Sequence, residues 1–370
     1  MTVYQERIRR LAAAMPAHEL EAVVLLPGPN LRYYTGLSFH LMGRPTLAVI
    51  TPDRPPLLIV PELERSKAEA NTIGASVQTY GEDPAARLAA FRDACQAIGL
   101  GRRRTGVEPL RMRWLEERLL EEAAPGLRMT SAEAALEPLR AEKSDEELEA
   151  IRRAVTVAQT ALVETVPHIR PGVTELDLAS ELMLQLLRAG SENELPFAPI
   201  VASGPNSALP HAVPTARRLQ PGDLVILDWG ATVDGYISDL TRTFAIGRVD
   251  SDFQQIQAIV AEANAAGRAA AGPGVACRAV DAAARSVIEA AGYGAAFLHR
   301  TGHGIGLEAH EAPYLRADND AQLRPGMTFT VEPGIYLAGR GGIRIEDNVV
   351  ISGAGAETLS NLPRELRVVE

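Results

Sequence analysis

Apolar residues in the first 135 positions switch between two spacings. Ile8, Leu11, Ala12 and Met15 recur on one face of a 3.6-residue period and predict a helix over about 4–15. Short apolar runs follow at 22–27 (AVVLLP), 46–51 (TLAVIT) and 56–60 (PLLIV), each with the length of a buried strand. Helical spacing returns over 84–98, and Pro109 is placed to open a helix running to about 123. PGPNLRYYTG (27–36) reads as a turn-rich link. Such alternation predicts a small α/β domain over 1–135.

The pattern changes around 136–144. Ser144 followed by Glu147 is a capping box that opens a long helix reaching about Val166, so a second domain is expected over 136–370. That domain is duplicated internally. Leu219-Gln-Pro-Gly222 corresponds to Leu323-Arg-Pro-Gly326, and at the same offset LVILDWG (224–230) lies on TFTVEPG (328–334). Asp228 thereby falls on Glu332. Upstream, IRPGVTELDLASELMLQLLRAG (169–190) resembles AGPGVACRAVDAAARSVIEAAG (271–292). Each half reads as helix, Pro-Gly-Val turn, helix and hairpin. Two such halves face to face predict an α+β sandwich with an approximate two-fold axis.

Composition narrows the class. With 46% hydrophobic and 23% charged residues, the 370-residue chain is globular rather than disordered. A net charge of −10 argues against a nucleic-acid or anionic-membrane partner. Two cysteines, Cys95 and Cys277, allow neither a disulfide framework nor a cysteine-based zinc site. No apolar run approaches the roughly 18 residues of a membrane span. The N-terminus lacks the pattern of a secretory signal, so the cytoplasm is the expected location.

Candidate chemistry sits on the hairpins. Asp234-Gly235 is a two-residue turn signal, and pairing Val233 with Tyr236 sets Asp228 opposite Thr241. Asp239 shares a face with Thr241, so the two aspartates become diagonal neighbours roughly 7–8 Å apart at Cα. Like charges that close need a cation or a raised pKa. In the second hairpin Glu332 ends an apolar strand, and Glu346 shares a face with Arg344. The duplication makes four carboxylates converge near the pseudo-two-fold axis, which is unfavourable without metal. Between the hairpins, the glycines of HRTGHGIGLEAHE (299–311) exclude a regular helix, and His303 is the natural nitrogen ligand. Four carboxylates and one imidazole suit Mn²⁺, Co²⁺ or Fe²⁺, with Zn²⁺ also compatible.

These residues resemble the pita-bread metallopeptidases, the family of prolidase, aminopeptidase P and methionine aminopeptidase. The matching segments are SGPNSALPHAVPT (203–215), LDWGA (227–231), SDLTRTF (238–244), TGHGIGLEAHE (301–311), VEPGIY (331–336) and RIEDN (344–348). Ala309 departs from the β-branched residue usual there. The resemblance covers the whole chain and implies a creatinase/prolidase-type N-terminal α/β domain before a pita-bread catalytic domain. It also implies two divalent ions per chain, with Mn²⁺ favoured. Asp228 would bind one and His303 with Glu332 the other, while Asp239 and Glu346 bridge them. Glu332 or Glu346 would shuttle the proton, and His211 and His310 would position substrate and stabilise the oxyanion. His299 receives no role.

Prolidase and aminopeptidase P both require proline after the scissile bond. The two-domain length favours these branches over methionine aminopeptidase, and the reading leans to a dipeptidase acting on Xaa-Pro, with aminopeptidase P as the alternative. A basic side chain gripping the product-side carboxylate would enforce dipeptides. Arg316 is the candidate; Arg344 is placed to support Glu346, and Arg44 could also serve. A metal-free creatinase-like hydrolase would lack the acidic ligand set that is complete here, and a non-catalytic binding paralogue would show ligand losses. The resemblance also implies a homodimer.

Overall fold

Local signals at helix starts translate directly into structure. The computed structural model describes residues 1–370. Ser144 and Glu147 close a reciprocal capping box at the head of Asp145–Thr165, and Thr174 with Asp177 does the same for Glu175–Arg188. The chain divides into two units, Met1–Arg140 and Ala141–Glu370. The helix Glu133–Ala141 runs through the predicted boundary at 135/136. No helix is long and apolar enough to cross a membrane.

The first unit is a six-stranded mixed sheet flanked by helices. Its strand order is Ser76–Tyr80, Arg54–Pro61, Leu47–Thr51, Ala22–Leu25, Arg104–Val107, Arg128–Ser131. Phe91, Ala94, Cys95 and Ile98 of the helix Pro84–Ile98 bury against Val24, Leu47 and Ile59. Two sequence expectations are corrected. Within the expected link, Pro29–Thr35 forms a short helix: Pro29 suits its first position, and Gly36 ends it at φ 72°. Pro109 opens no helix. Residues 108–112 form a turn in which Met112 N donates to Glu108 O (2.7 Å), and the helix is Trp114–Ala123. The Glu108 carboxylate, which accepts from Leu26 N (2.7 Å) and Asn30 Nδ2 (2.8 Å), tethers that turn.

The second unit repeats itself in backbone hydrogen bonds as well as in sequence. Gly172 N donates to Leu219 O and Gly274 N to Leu323 O, both at 2.8 Å. The bridges Thr174–Arg218 and Ala276–Gln322 are likewise equivalent. In each half two helices pack together: Asp145–Thr165 on Glu175–Arg188, and Ser251–Ala270 on Cys277–Ala290. The first half buries Leu162, Leu178, Leu182 and Leu186 against Val225, Leu227, Trp229 and Phe244. The inner layer is a four-stranded and a five-stranded sheet plus two short hairpin ladders.

Hairpin register places the functional residues. Asp234 (φ 51°) and Gly235 (φ 78°) make the tight turn, Val233 pairs with Tyr236, and Asp228 lies opposite Thr241. In the second hairpin Val331 pairs with Asp347 and Gly334 with Arg344, which sets Glu332 opposite Glu346 in the gap between. The hairpins meet where Glu346 N donates to Thr241 O (3.1 Å) and Thr241 Oγ1 to Glu346 Oε2 (2.7 Å).

His303 depends on its neighbouring glycine. A Cβ on Gly302 would lie 1.9 Å from the Thr330 carbonyl oxygen, because the strand Gly302–Gly304 runs close alongside its sheet neighbour Thr328–Val331. Gly302→Ala must therefore push two backbones apart. It is expected to cost about 2–3 kcal/mol in denaturant unfolding. Unchanged stability would contradict this packing.

Candidate active site

All nine residues singled out for chemistry line one cavity of about 710 Å³: His211, Asp228, Asp239, His303, His310, Arg316, Glu332, Arg344 and Glu346. Ligand atoms of Asp239, His303 and Glu346 lie within 4.8 Å of one another, and all three residues are buried. His303 Nε2 is 3.2 Å from Glu332 Oε1 and 3.8 Å from Asp239 Oδ2. His303 Nδ1 is 3.1 Å from the Gly304 carbonyl oxygen, which only a protonated Nδ1 can satisfy. Nε2 is then the ring nitrogen that faces the carboxylates: it donates to Glu332, and it is the atom that would coordinate a metal in place of that proton.

The charge balance of the cluster is poor. Burial, then the nearby Glu346, Asp228 and Glu332, push the Asp239 carboxyl well above its ordinary range. Burial and the same kind of repulsion, from Glu332 and Asp228, do this to Glu346. Burial also raises Asp228, although Arg344 Nη2 donates to its Oδ2 at 2.6 Å. Glu332 behaves differently: burial acts to raise it, but the hydrogen bond and charge of His303 hold it at about 2. Asp228 Oδ1 is buried without any hydrogen-bond partner. An orphaned carboxylate oxygen beside two acids forced toward neutrality is the mark of a site built for cations. The residues therefore fit divalent ions, with four carboxylates and one imidazole as hard donors.

The other predicted residues divide by accessibility. His310 stacks edge-on against His303, with ring centroids 4.1 Å apart, and burial together with His303 lowers it to about 4. His211 sits exposed on the loop after the short helix Gly204–Ala208. Arg316 is 57% exposed and pairs with Asp318 at 2.9 Å. Arg344 is fully engaged: besides Asp228 it donates to Tyr336 Oη (2.9 Å), Thr241 Oγ1 (3.1 Å) and Pro210 O (3.3 Å). Arg44 belongs to the first unit and pairs with Glu82 at 2.7 Å.

Three participants escape sequence reasoning. Tyr336 links Arg344 to His299 Nε2 (2.9 Å), so His299 is tied to the cluster after all. Arg300 lines the cavity with its guanidinium 5.0 Å from the Tyr314 ring centroid, and no carboxylate pairs with it. Glu175 lies fully buried behind the loop that carries His211. Only Glu175 carried a local signal, the Thr-Glu-Leu-Asp helix start, which says nothing of the loop.

Comparison with known proteins now decides the family. Residues 7–141 match the Creatinase/Prolidase N-terminal domain, and residues 149–353 match Metallopeptidase family M24. The chain belongs to family M24. "Probable dipeptidase PepE" of Mycobacterium tuberculosis is 37% identical over 99% of this chain and 97% of that protein. "Xaa-Pro dipeptidase" of Pyrococcus horikoshii is 32% identical over 99% of this chain and all of that one. The crystal structure of dipeptidase PepE from Mycobacterium ulcerans superposes with a TM-score of 0.91 at 36% identity, covering 99% and 98% of the two chains. The M24 chain is thus a peptidase with a pita-bread catalytic unit, and membership of this metallopeptidase family implies divalent ions.

The raised carboxyls give this M24 site a pH signature when metal is removed. A carboxyl that is harder to ionise in the folded state binds extra protons there, so stability falls as pH rises from about 4 through the raised values. Asp239→Asn removes that liability. Chelator-treated Asp239→Asn should unfold at a higher temperature than the parent at pH 8, with little difference at pH 4. An equal difference at both pH values would contradict the assignment.

Proposed function

We propose that the chain is a peptidase dependent on two divalent ions, Mn²⁺ being favoured, that hydrolyses the Xaa-Pro bond of dipeptides. The observation that carries the metal dependence is the buried group of Asp239, His303 and Glu346, with neighbouring Asp228 left an unsatisfied oxygen. Asp228 would hold one ion and His303 with Glu332 the other, and Asp239 and Glu346 would be shared between the two. Bound there, the ions supply Lewis acidity and lower the pKa of a coordinated water.

The chain's own groups would do the rest. His310, lowered to about 4, is neutral at physiological pH and offers a ring N–H to the oxygen that gains charge in the tetrahedral state. His211, on the cavity wall, would hold the substrate. Glu332 or Glu346 would carry the proton from water to the leaving nitrogen. Pro196, Phe197, Ala198, Ile200 and Pro210 add an apolar wall against which a prolyl ring and its neighbour can pack.

Dipeptide preference needs a cation for the terminal carboxylate. Three arginines line the cavity, and two already have a carboxylate beside them: Arg344 is buried against Asp228 and Tyr336, and the exposed Arg316 pairs with the exposed Asp318. Arg300, laid over Tyr314 with no carboxylate partner, is the one left to serve. Assays with Mn²⁺ should favour Xaa-Pro over Xaa-Pro-Yaa-Yaa. Arg300→Met should raise KM for Xaa-Pro about tenfold, as expected for one charge-assisted hydrogen bond, and leave the dipeptide amide unaffected. Preference for the longer peptide would instead support an Xaa-Pro aminopeptidase.

A further inference from the structure

Glu175 has no part in the chemistry above, yet six hydrogen bonds converge on its side chain. It begins the helix Glu175–Arg188 and is fully buried. Where the loop carrying His211 begins, Oε1 accepts from Ser203 N and Ser203 Oγ, both at 2.7 Å. Asn206 Nδ2 donates to both carboxylate oxygens at 3.1 Å. Where the loop ends, Oε2 accepts from Thr215 N (3.0 Å) and Thr215 Oγ1 (2.6 Å). One carboxylate thus closes residues 203 and 215 into a compact Ω-shaped loop.

The far side of that loop is fixed to the active site at two points. Ser207 Oγ accepts from Gly342 N at 2.9 Å, and Pro210 O from Arg344 Nη1 at 3.3 Å. His211 follows Pro210 directly, and its ring makes no hydrogen bond of its own. The backbone that carries it is therefore what limits where the imidazole can reach. All five groups facing Glu175 act as donors, which suits a group that only accepts; a glutamine amide would aim its own N–H groups at N–H donors.

We propose that Glu175 is the positioning residue for His211, holding the loop 203–215 so that the imidazole faces substrate. The inference rests on the substrate-facing role given to His211 above. The test compares Glu175→Gln and Thr215→Val in the parent protein and in a His211→Ala background. Thr215→Val removes one hydroxyl from an exposed position and keeps the question open to test should Glu175→Gln fail to fold.

With Mn²⁺ present, Glu175→Gln should lower kcat/KM for Xaa-Pro about tenfold and Thr215→Val about threefold, in line with the loss of buried hydrogen bonds. In the His211→Ala background neither should cost more than about twofold. Hydrogen exchange of the metal-free Glu175→Gln protein should quicken over 203–215 and stay unchanged in the helix Asp145–Thr165. Equal activity losses in both backgrounds, or unaltered exchange in the loop, would overturn the role of Glu175 alone. Full activity of His211→Ala would overturn the role of His211 and the inference with it.

Discussion

Four carboxylates forced together out of water set the terms for the catalytic unit. Such a cluster is unstable on its own, and the surrounding framework is arranged to hold it. Asp228 and Glu332 end the inner strands of their hairpins, while Asp239 and Glu346 lie on the return segments. The hairpins are fastened to each other at Thr241 and Glu346, in the middle of the cluster. Behind this junction Arg242 donates to the carbonyls of Thr241 (2.8 Å) and Glu346 (2.7 Å) and to the Asp347 carboxylate (2.8 Å). Asp347 also accepts from Arg364 Nε (2.7 Å) and Ser360 Oγ (2.8 Å). This buried network is satisfied, so its polar groups add rigidity where the cluster itself cannot.

Duplication explains why the acids meet, and asymmetry explains how they are used. The two halves share turns, helices and backbone bonds, yet a single cation, Arg344, serves the cluster from the second half. It grips Asp228 in the first half and Tyr336 in its own, and through Tyr336 it reaches His299. One oxygen of Asp228 is thereby fixed and the other left bare. Glu332 is balanced instead by His303. The two acids at equivalent strand ends have different partners, which suits two metal positions that are not interchangeable.

Much of this was legible in the sequence because it depends on short-range rules. The Asp234-Gly235 turn fixed the first register, so the partner of Asp228 could be read without coordinates. Capping boxes marked the starts of two helices, and the internal repeat paired Asp228 with Glu332. What could not be read depends on distant partners. Ser76–Tyr80 and Arg128–Ser131 are polar edge strands whose pairing comes from neighbours far along the chain. Pro109 looks like a helix opener only until Glu108 is tethered to Leu26 and Asn30. Arg300 and Arg316 are indistinguishable by composition; one is tied to Asp318 and the other lies free of any carboxylate in the cavity wall. Glu175 reads as an ordinary first-turn acid, and only the fold brings Ser203 and Thr215 to it.

The central claim is that the buried acids exist to hold cations. Native mass spectrometry of the intact protein, titrated with Mn²⁺ after chelation, tests it most directly. The account predicts saturation at two ions per chain, with Asp239→Ala losing both if that carboxylate is shared by the pair as proposed. Fewer than about one ion per chain at saturation, or full loading of Asp239→Ala, would contradict it.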